Sequence, residues 1–201
     1  MPYGENGRID LLDEEDMSRI IIIGASHAGL ACAERLRHHG FAGKITIFDR
    51  EEGLPLQRPP LSKTYLKAAE SASEEAYLLR KPDWFEVFDI DFQPDCEVIG
   101  IDRKAGVVKL ADGRREDYAE LVIAAGAIPR HLPIAGGNAK GVFVLRVARE
   151  ARAIRAHMGA AKKAVVIGGG YIGLEADASG WKWHPYPAIR LAEQGGELEA
   201  R

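Results

Sequence analysis

RIIIIGASHAGLACAERLRHHG, residues 19–40, joins two periodicities that no single element can carry. RIIIIGA is apolar at almost every position, as in a strand of a parallel sheet buried on both faces. HAGLACAERLRHHG repeats its apolar residues at helical spacing and closes on Gly40, which predicts an amphipathic helix. KITIFD, residues 44–49, follows as a second short strand, so the segment is a β-α-β unit of about thirty residues.

Between strand and helix lies Gly24-Ala25-Ser26-His27-Ala28-Gly29. A dinucleotide fold wants glycine first for the tight turn, second for approach of a pyrophosphate, and third for close packing of helix on strand. Ser26 takes the second place, the smallest departure available. An acidic residue some twenty positions on should bind ribose hydroxyls; Asp49 fits that distance and Glu51 is the other candidate. The pattern returns as Gly168-Gly169-Gly170-Tyr171-Ile172-Gly173 after AVVI, with the full G-x-G-x-x-G. One such motif is weak evidence. Two, each between a strand and a helix, are stronger, and both helices would aim their N-terminal amides at a phosphate. Gly24, Ser26, His27, Ala28 and Gly29 in the first turn, and Gly168, Gly170, Tyr171, Ile172 and Gly173 in the second, are therefore candidate cofactor-binding positions.

The bulk properties leave room for this and exclude little else. At 201 residues the chain can form one or two domains with a core. A net charge of −3 gives no general reason to expect nucleic acid or an anionic membrane as partner. RKAG and AAKK are basic clusters that a solvated face explains. Two cysteines, Cys32 and Cys96, make neither a zinc spacing nor a disulfide framework, suit a reducing cytosol, and are expected to be inert packing residues. No metal site is expected, and IIIIGA is far too short to span a bilayer.

Residues 1–16 are acidic and without periodicity, as in a disordered tail. EEAYLLRKPDWFEVFDID, residues 74–91, reads as helix or loop interrupted at Pro82. CEVIGID, GVVKLADG and the run to LVIAAG predict three strands. AIPRHLPIAGGNAKG is a Pro/Gly-rich crossover, REARAIRAHMGAAKK a helix, and AVVIGGGYIGLEAD the opening of a second β-α unit. In LQRPPLSKTYL, residues 56–66, adjacent prolines push their predecessors toward extended backbone, and Ser62 makes a good N-cap that puts Lys63 in the first turn of a helix. A lysine there opposes the helix dipole, so local energetics do not favour it.

IIIGASHAGLACAERLR, PLQRPPLSKTYL, ELVIAAGAIPRHLP, GVFVLR and VVIGGGYIGLE together resemble the FAD-dependent ferredoxin reductases of the putidaredoxin and rubredoxin reductase kind, within the pyridine nucleotide-disulfide oxidoreductase superfamily. RPPLSK is the specific part. The resemblance implies an α/β fold, with a Rossmann-like FAD-binding domain begun in residues 17–130, a crossover and helix in 131–160, and the start of a second, NAD(P)-binding Rossmann-like domain in 161–175. It implies a reaction in which hydride passes from NAD(P)H to FAD and electrons then pass singly to a [2Fe-2S] ferredoxin or a rubredoxin. It places Lys63 beside the flavin ring, paired with Glu175, as the catalytic pair, and adds Arg58, Val98 and Arg130 as cofactor contacts. Cys32 and Cys96 supply no redox pair of the disulfide-reductase type.

The chain departs from that pattern at Arg50, where an acid is usual, and at Ala125, where a threonine is usual. From Ala176 the text ADASGWKWHPYPAIRLAEQGGELEAR no longer fits a NAD(P) domain, since Gly180, Pro185 and Pro187 oppose the expected helix. It is read as a frameshifted or truncated tail. On that reading the competing expectation is a flavin- or nucleotide-binding fragment without catalytic activity.

Overall fold

The structure, a computed structural model, describes residues 19–69, 71–130, 132–161 and 164–180, the last four as helix backbone. The expectations for residues 1–16 and for 181–201 lie outside the described residues. In chain order the elements are β1 (Arg19–Ile23), α1 (His27–His38), β2 (Lys44–Phe48), α2 (Thr64–Lys67), α3 (Pro82–Val87), β3 (Ile90–Gln93), β4 (Val98–Asp102), β5 (Val107–Leu110), β6 (Arg115–Asp117), β7 (Glu120–Ile123), α4 (Ala148–Met158) and α5 (Tyr171–Gly180), with 3-10 turns at Pro59–Ser62 and Glu75–Tyr77. They form two compact units, one of residues 19–56 and 78–127, the other of 57–77 and 128–180.

The first unit is built around β1. Its sheet has the order β3-β2-β1-β7, all parallel, and a separate antiparallel sheet runs β4-β5-β6. Alternate side chains of the isoleucine run serve different cores. Ile20 and Ile22 join Ile45 and Ile47 of β2 and pack with Leu30 and Ala33 of α1. Ile21 and Phe48 point the other way, onto Val108 and Leu110 of β5. Ile21 and Ile22 both have no exposed surface, and each such side chain contributes about 1.5–3 kcal/mol by burial. This is why RIIII shows no alternation of apolar and polar residues: the helix covers one face and the second sheet the other. α1 is stopped by Gly40, two residues past its last helical residue, whose φ of +85° only glycine adopts freely, and Phe41 N–H closes the turn on the Leu36 carbonyl at 3.0 Å.

Two strands were hidden in the sequence. β3 lies inside the segment expected as helix or loop; it pairs with β2, where buried Thr46 donates to Asp91 at 3.2 Å and Lys44 reaches the same carboxylate at 2.9 Å. Burial opposes ionisation of Asp91, yet hydrogen bonds from Gln93, Lys44 and Thr46 hold its carboxyl below the usual range. β6 adds a short charged strand to the expected meander. α3 begins at Pro82, in the first-turn position where proline fits a helix best.

In the second unit α4 starts at a Glu150 side chain that accepts the amides of Arg146 (2.7 Å) and Val147 (3.1 Å). AVVI, expected as a strand, pairs with no strand among the described residues, and Val165 is 86% exposed. A strand is defined by its neighbours, and apolar character alone does not supply them. α5 stays helical through Gly180, beyond the point where the text leaves the expected pattern.

Arg37, near the end of α1, ties the first unit together. Its guanidinium donates to the carbonyls of Phe88 (2.9 Å), Phe41 (2.7 Å), Gly43 (2.7 Å) and Asp89 (2.7 Å). A lysine ammonium cannot span those four acceptors. Arg37→Lys should therefore destabilise the chain by about 2 kcal/mol, read as a lower urea midpoint at unchanged slope. An unchanged midpoint would mean that the carbonyls find other donors.

Candidate functional site

β2 follows β1 on one side of the parallel sheet and β7 lies on its other side, so the connections part between β1 and β7. In open α/β sheets ligands bind at the carboxyl ends of the strands flanking such a switch point. The first glycine turn sits there. Gly24 donates to the Phe48 carbonyl at 2.8 Å with φ +103°, and a Cβ on it would stand 2.5 Å from the Ala124 carbonyl oxygen just after β7. A Cβ on Gly29 would meet the Gly24 carbonyl oxygen at 2.0 Å. The third glycine thus lets the helix start close against the turn, with Ile22 of β1 also in contact.

Ser26, with φ −93°, is the N-cap of α1, and its side chain makes no capping bond. Its backbone needs nothing that only glycine supplies, so serine fits the second place. Leu30 N–H to the Ser26 carbonyl (3.0 Å) is the first bond of the helix, and the amides before it have no acceptor within the helix. They form the positive end of the helix. His27 and Ala28 are exposed and Gly29 is buried. Asp49, directly after β2, accepts the Ala25 amide on Oδ2 (2.8 Å) and the Glu51 amide on Oδ1 (3.0 Å). Glu51 is half-buried, with Oε1 3.5 Å from Arg50 Nε.

The second turn repeats the geometry within its own unit. Gly168 has φ +104°, and a Cβ on Gly173 would lie 2.6 Å from the Gly168 carbonyl oxygen and 3.0 Å from Val166 Cγ1. Around Gly168 there is open space. Gly170 accepts the Leu174 amide at 3.2 Å, and Tyr171 and Ile172 are exposed at the start of α5.

RPPLSK corrects two expectations. Arg58 is helical (φ −76°, ψ −38°) although a proline follows it, and Pro59–Ser62 is a 3-10 turn closed by Leu61 N–H on the Arg58 carbonyl at 3.0 Å. The helical region before proline is disfavoured rather than forbidden, and the buried Leu61 and Ser62 are held inward by it. Ser62 is not a cap: its hydroxyl donates to Glu175 Oε2 at 2.6 Å, and Lys63 takes the cap position of the single-turn α2. Lys63 Nζ lies 3.3 Å from Glu175 Oε1. The expected lysine–glutamate pair is therefore formed, with a hydroxyl on the second carboxylate oxygen. The Ser62 hydrogen bond, and after it Lys63, holds the Glu175 carboxyl below the ordinary range.

The segment is anchored one turn further on. Tyr65, buried, donates its phenol to Glu74, which also receives Arg152 of α4 at 2.7 Å; Arg155 reaches the Tyr65 and Ala68 carbonyls and lies over the Tyr65 ring. Burial pushes the Tyr65 phenol up, and the bond to Glu74 adds to it. Nothing in the local pattern announces this network, since the two arginines lie 78 to 90 positions from the groups they reach. Val98 begins β4, half-buried against the β5 core; Arg130 is exposed in the crossover. Both cysteines are free: burial pushes the Cys32 thiol up, and Cys96 Sγ receives a guanidinium hydrogen bond from Arg114 at 2.9 Å.

Glu175 gives a testable pH dependence. Its lowered carboxyl contributes stability that is full above 4.5, the ordinary glutamate value, and is lost as the pH falls through its lower folded value. The melting temperature of the wild-type chain should exceed that of Glu175→Gln by about 2 °C near neutrality, and the gap should close in acid. Ser62→Ala should remove most of the same gap. A gap that widens on acidification would contradict the pairing.

The family model described as pyridine nucleotide-disulphide oxidoreductase matches residues 18–182. The chain is 42% identical over 163 residues to rhodocoxin reductase of Rhodococcus erythropolis, covering 81% of this chain and 38% of that protein. It is 40% identical over 166 residues to putidaredoxin reductase of Pseudomonas putida, covering 81% and 39%. Among solved structures, a ferredoxin reductase from Rhodopseudomonas palustris matches with a TM-score of 0.75 and 36% identity over 81% of this chain and 40% of that one. The reductase in a covalent putidaredoxin reductase–putidaredoxin complex matches with a TM-score of 0.72 and 38% identity, covering 81% and 39%. The chain thus spans about two fifths of the length of the curated relatives it matches. With both glycine turns, the parallel sheet and RPPLSK all inside the matched region, the chain belongs to the pyridine nucleotide-disulphide oxidoreductase family.

Proposed function

We propose that this chain carries the FAD-binding part, and the opening of the nucleotide-binding part, of an NAD(P)H:ferredoxin or NAD(P)H:rubredoxin oxidoreductase. The observation that carries the reading is the Gly24–Gly29 turn at the switch point between β1 and β7. Its close backbone approach and the free amides at the start of α1 fit a pyrophosphate. Asp49 and Glu51, after β2, stand where an adenosine ribose is bound in such folds. The flavin, when bound, connects the two-electron chemistry of a nicotinamide with the one-electron chemistry of an iron–sulfur protein.

The chain's own residues would bind, orient and balance charge. Ser26, His27 and Ala28 present the amides, and Arg58, Val98 and Arg130 are further cofactor contacts by resemblance. Lys63 and Glu175 are the catalytic pair. Glu175, itself oriented by Ser62, fixes the ammonium group, and a fixed cation stabilises negative charge that develops on a neighbouring ring. Gly168, Gly170, Tyr171, Ile172 and Gly173 begin the site for NAD(P)H. The electron acceptor is a [2Fe-2S] ferredoxin or a rubredoxin, and neither nucleic acid nor membrane is a partner. Among the described residues no helix is long and apolar enough to cross a membrane.

The same turn geometry supports one other reading, a flavin- or nucleotide-binding piece without catalytic activity. One preparation separates the two. Purified chain incubated with FAD and freed of excess cofactor should retain visible bands near ~450 nm, and NADH should bleach them. Retained colour without bleaching supports the second reading; a colourless chain sinks both. Lys63→Gln should keep the colour and slow any bleaching by about tenfold or more.

A further inference from the structure

Lys63 and Glu175 meet at the surface of the second unit, and their own attraction does not explain why they meet. We propose that Arg155 of α4 is a positioning residue for Lys63: it holds the one-turn helix α2 by its terminal carbonyls, so that the lysine is set against Glu175 before any ligand is bound. The inference rests on the reading of Lys63 as the cation beside the flavin.

The ion pair is half-open to water. The Lys63 side chain is 53% exposed and that of Glu175 32%, with Nζ and Oε1 3.3 Å apart. Such a pair is worth little, because solvent screens it and a long side chain gives up rotamer freedom to make it. Nor can α2 place the lysine unaided. Thr64–Lys67 is a single turn, closed by the Lys67 amide on the Lys63 carbonyl at 3.2 Å, and a single turn does not offset the cost of its own nucleation. The direction of Lys63 is therefore set by what holds the residues on either side of it. Before it stands Ser62, 5% exposed and bonded to Glu175.

After it the hold comes from α4. Arg155 Nη1 donates to the Tyr65 carbonyl (3.2 Å) and to the Ala68 carbonyl (3.3 Å), and the guanidinium carbon lies 5.3 Å from the centre of the Tyr65 ring. A cation suits this place, since the carbonyls at a helix end are short of donors and form its negative pole. Arg152 shares that face of α4 at i,i+3 spacing. It reaches Glu74 at 2.7 Å, and Glu74 takes the Tyr65 phenol. Tyr65, 1% exposed, is thus gripped at its hydroxyl, on its ring face and at its own carbonyl. Only Thr64 separates it from Lys63, so a movement of α2 that frees Tyr65 carries the lysine backbone with it.

The test uses the full chain with isotopically labelled glutamate, the Glu175 signal being the one missing from Glu175→Gln. In wild type that carboxyl should titrate below 4.5, the ordinary glutamate value. In Arg155→Gln, which alters neither Glu175 nor its partners Ser62 and Lys63, the midpoint should move up toward 4.5. In Arg155→Lys, whose ammonium can serve the two carbonyls that Nη1 serves, it should stay close to wild type. Amide exchange at Lys67 and Ala68 should be about tenfold faster in Arg155→Gln and unchanged in Glu175→Gln, because α4 and not the ion pair holds the turn. With FAD retained, Arg155→Gln should slow bleaching by NADH about threefold or more. A wild-type Glu175 midpoint in folded Arg155→Gln overturns the proposal, since a merely stabilising arginine would lower the melting temperature and leave the titration alone. About tenfold faster exchange at those amides in Glu175→Gln overturns it too, whether or not Arg155→Gln folds. A chain that retains no FAD removes the flavin reading, and the titration and exchange still decide whether Arg155 places Lys63.

Discussion

Burial of β1 on both faces is the constraint on which the first unit depends. A strand packed by a helix on one side and by a second sheet on the other cannot shift by one residue without exchanging the two cores. Ile20 and Ile22 face α1 while Ile21 faces β5, so register is set by shape and neighbours as much as by apolar character. Polar groups reinforce it: Arg19 reaches Thr46 on β2 and Glu116 on β6, and Thr46 passes the connection to Asp91 on β3. With β1 fixed, the turn that follows it has a fixed point of departure.

The turn is strict in some places and tolerant in others, for separable reasons. Gly24 and Gly29 are demanded by backbone sterics, whereas the second place accepts serine because its φ is ordinary. The same two demands recur at Gly168 and Gly173, where the sheet partners seen around Gly24 are not in contact. The conformation is therefore written largely within six residues, and what the first unit adds is an acidic brace and a neighbouring strand end.

What could be read from sequence divides along the same line. The β1-α1-β2 unit, both glycine turns and the lysine–glutamate pair were legible, the first two because their patterns are local and the third through family resemblance. β3 was not, because IDFQ carries an aspartate inside it and becomes a strand through its partner Thr46. Ser62 had every local feature of a cap, yet its hydroxyl goes to a residue 113 positions away. Arg58 before Pro59 shows the limit of a dipeptide rule when a buried Leu61 and Ser62 favour a turn. AVVI shows the converse, an apolar run that no partner turns into a strand among the described residues. Asp49 was found as an acid at the right distance, but which atoms it holds depends on the folded turn.

The reach of the Ser62–Glu175 contact has a consequence for biosynthesis. Leu61, Ser62 and Tyr65 leave the ribosome long before the helices that cover them. At ~5–20 residues per second, the 113 positions to Glu175 take roughly 6–23 s to translate, while hairpin and helix formation are complete within microseconds. The PPLSKTYL segment therefore waits, with its apolar side chains in water, for a docking surface made 113 positions later.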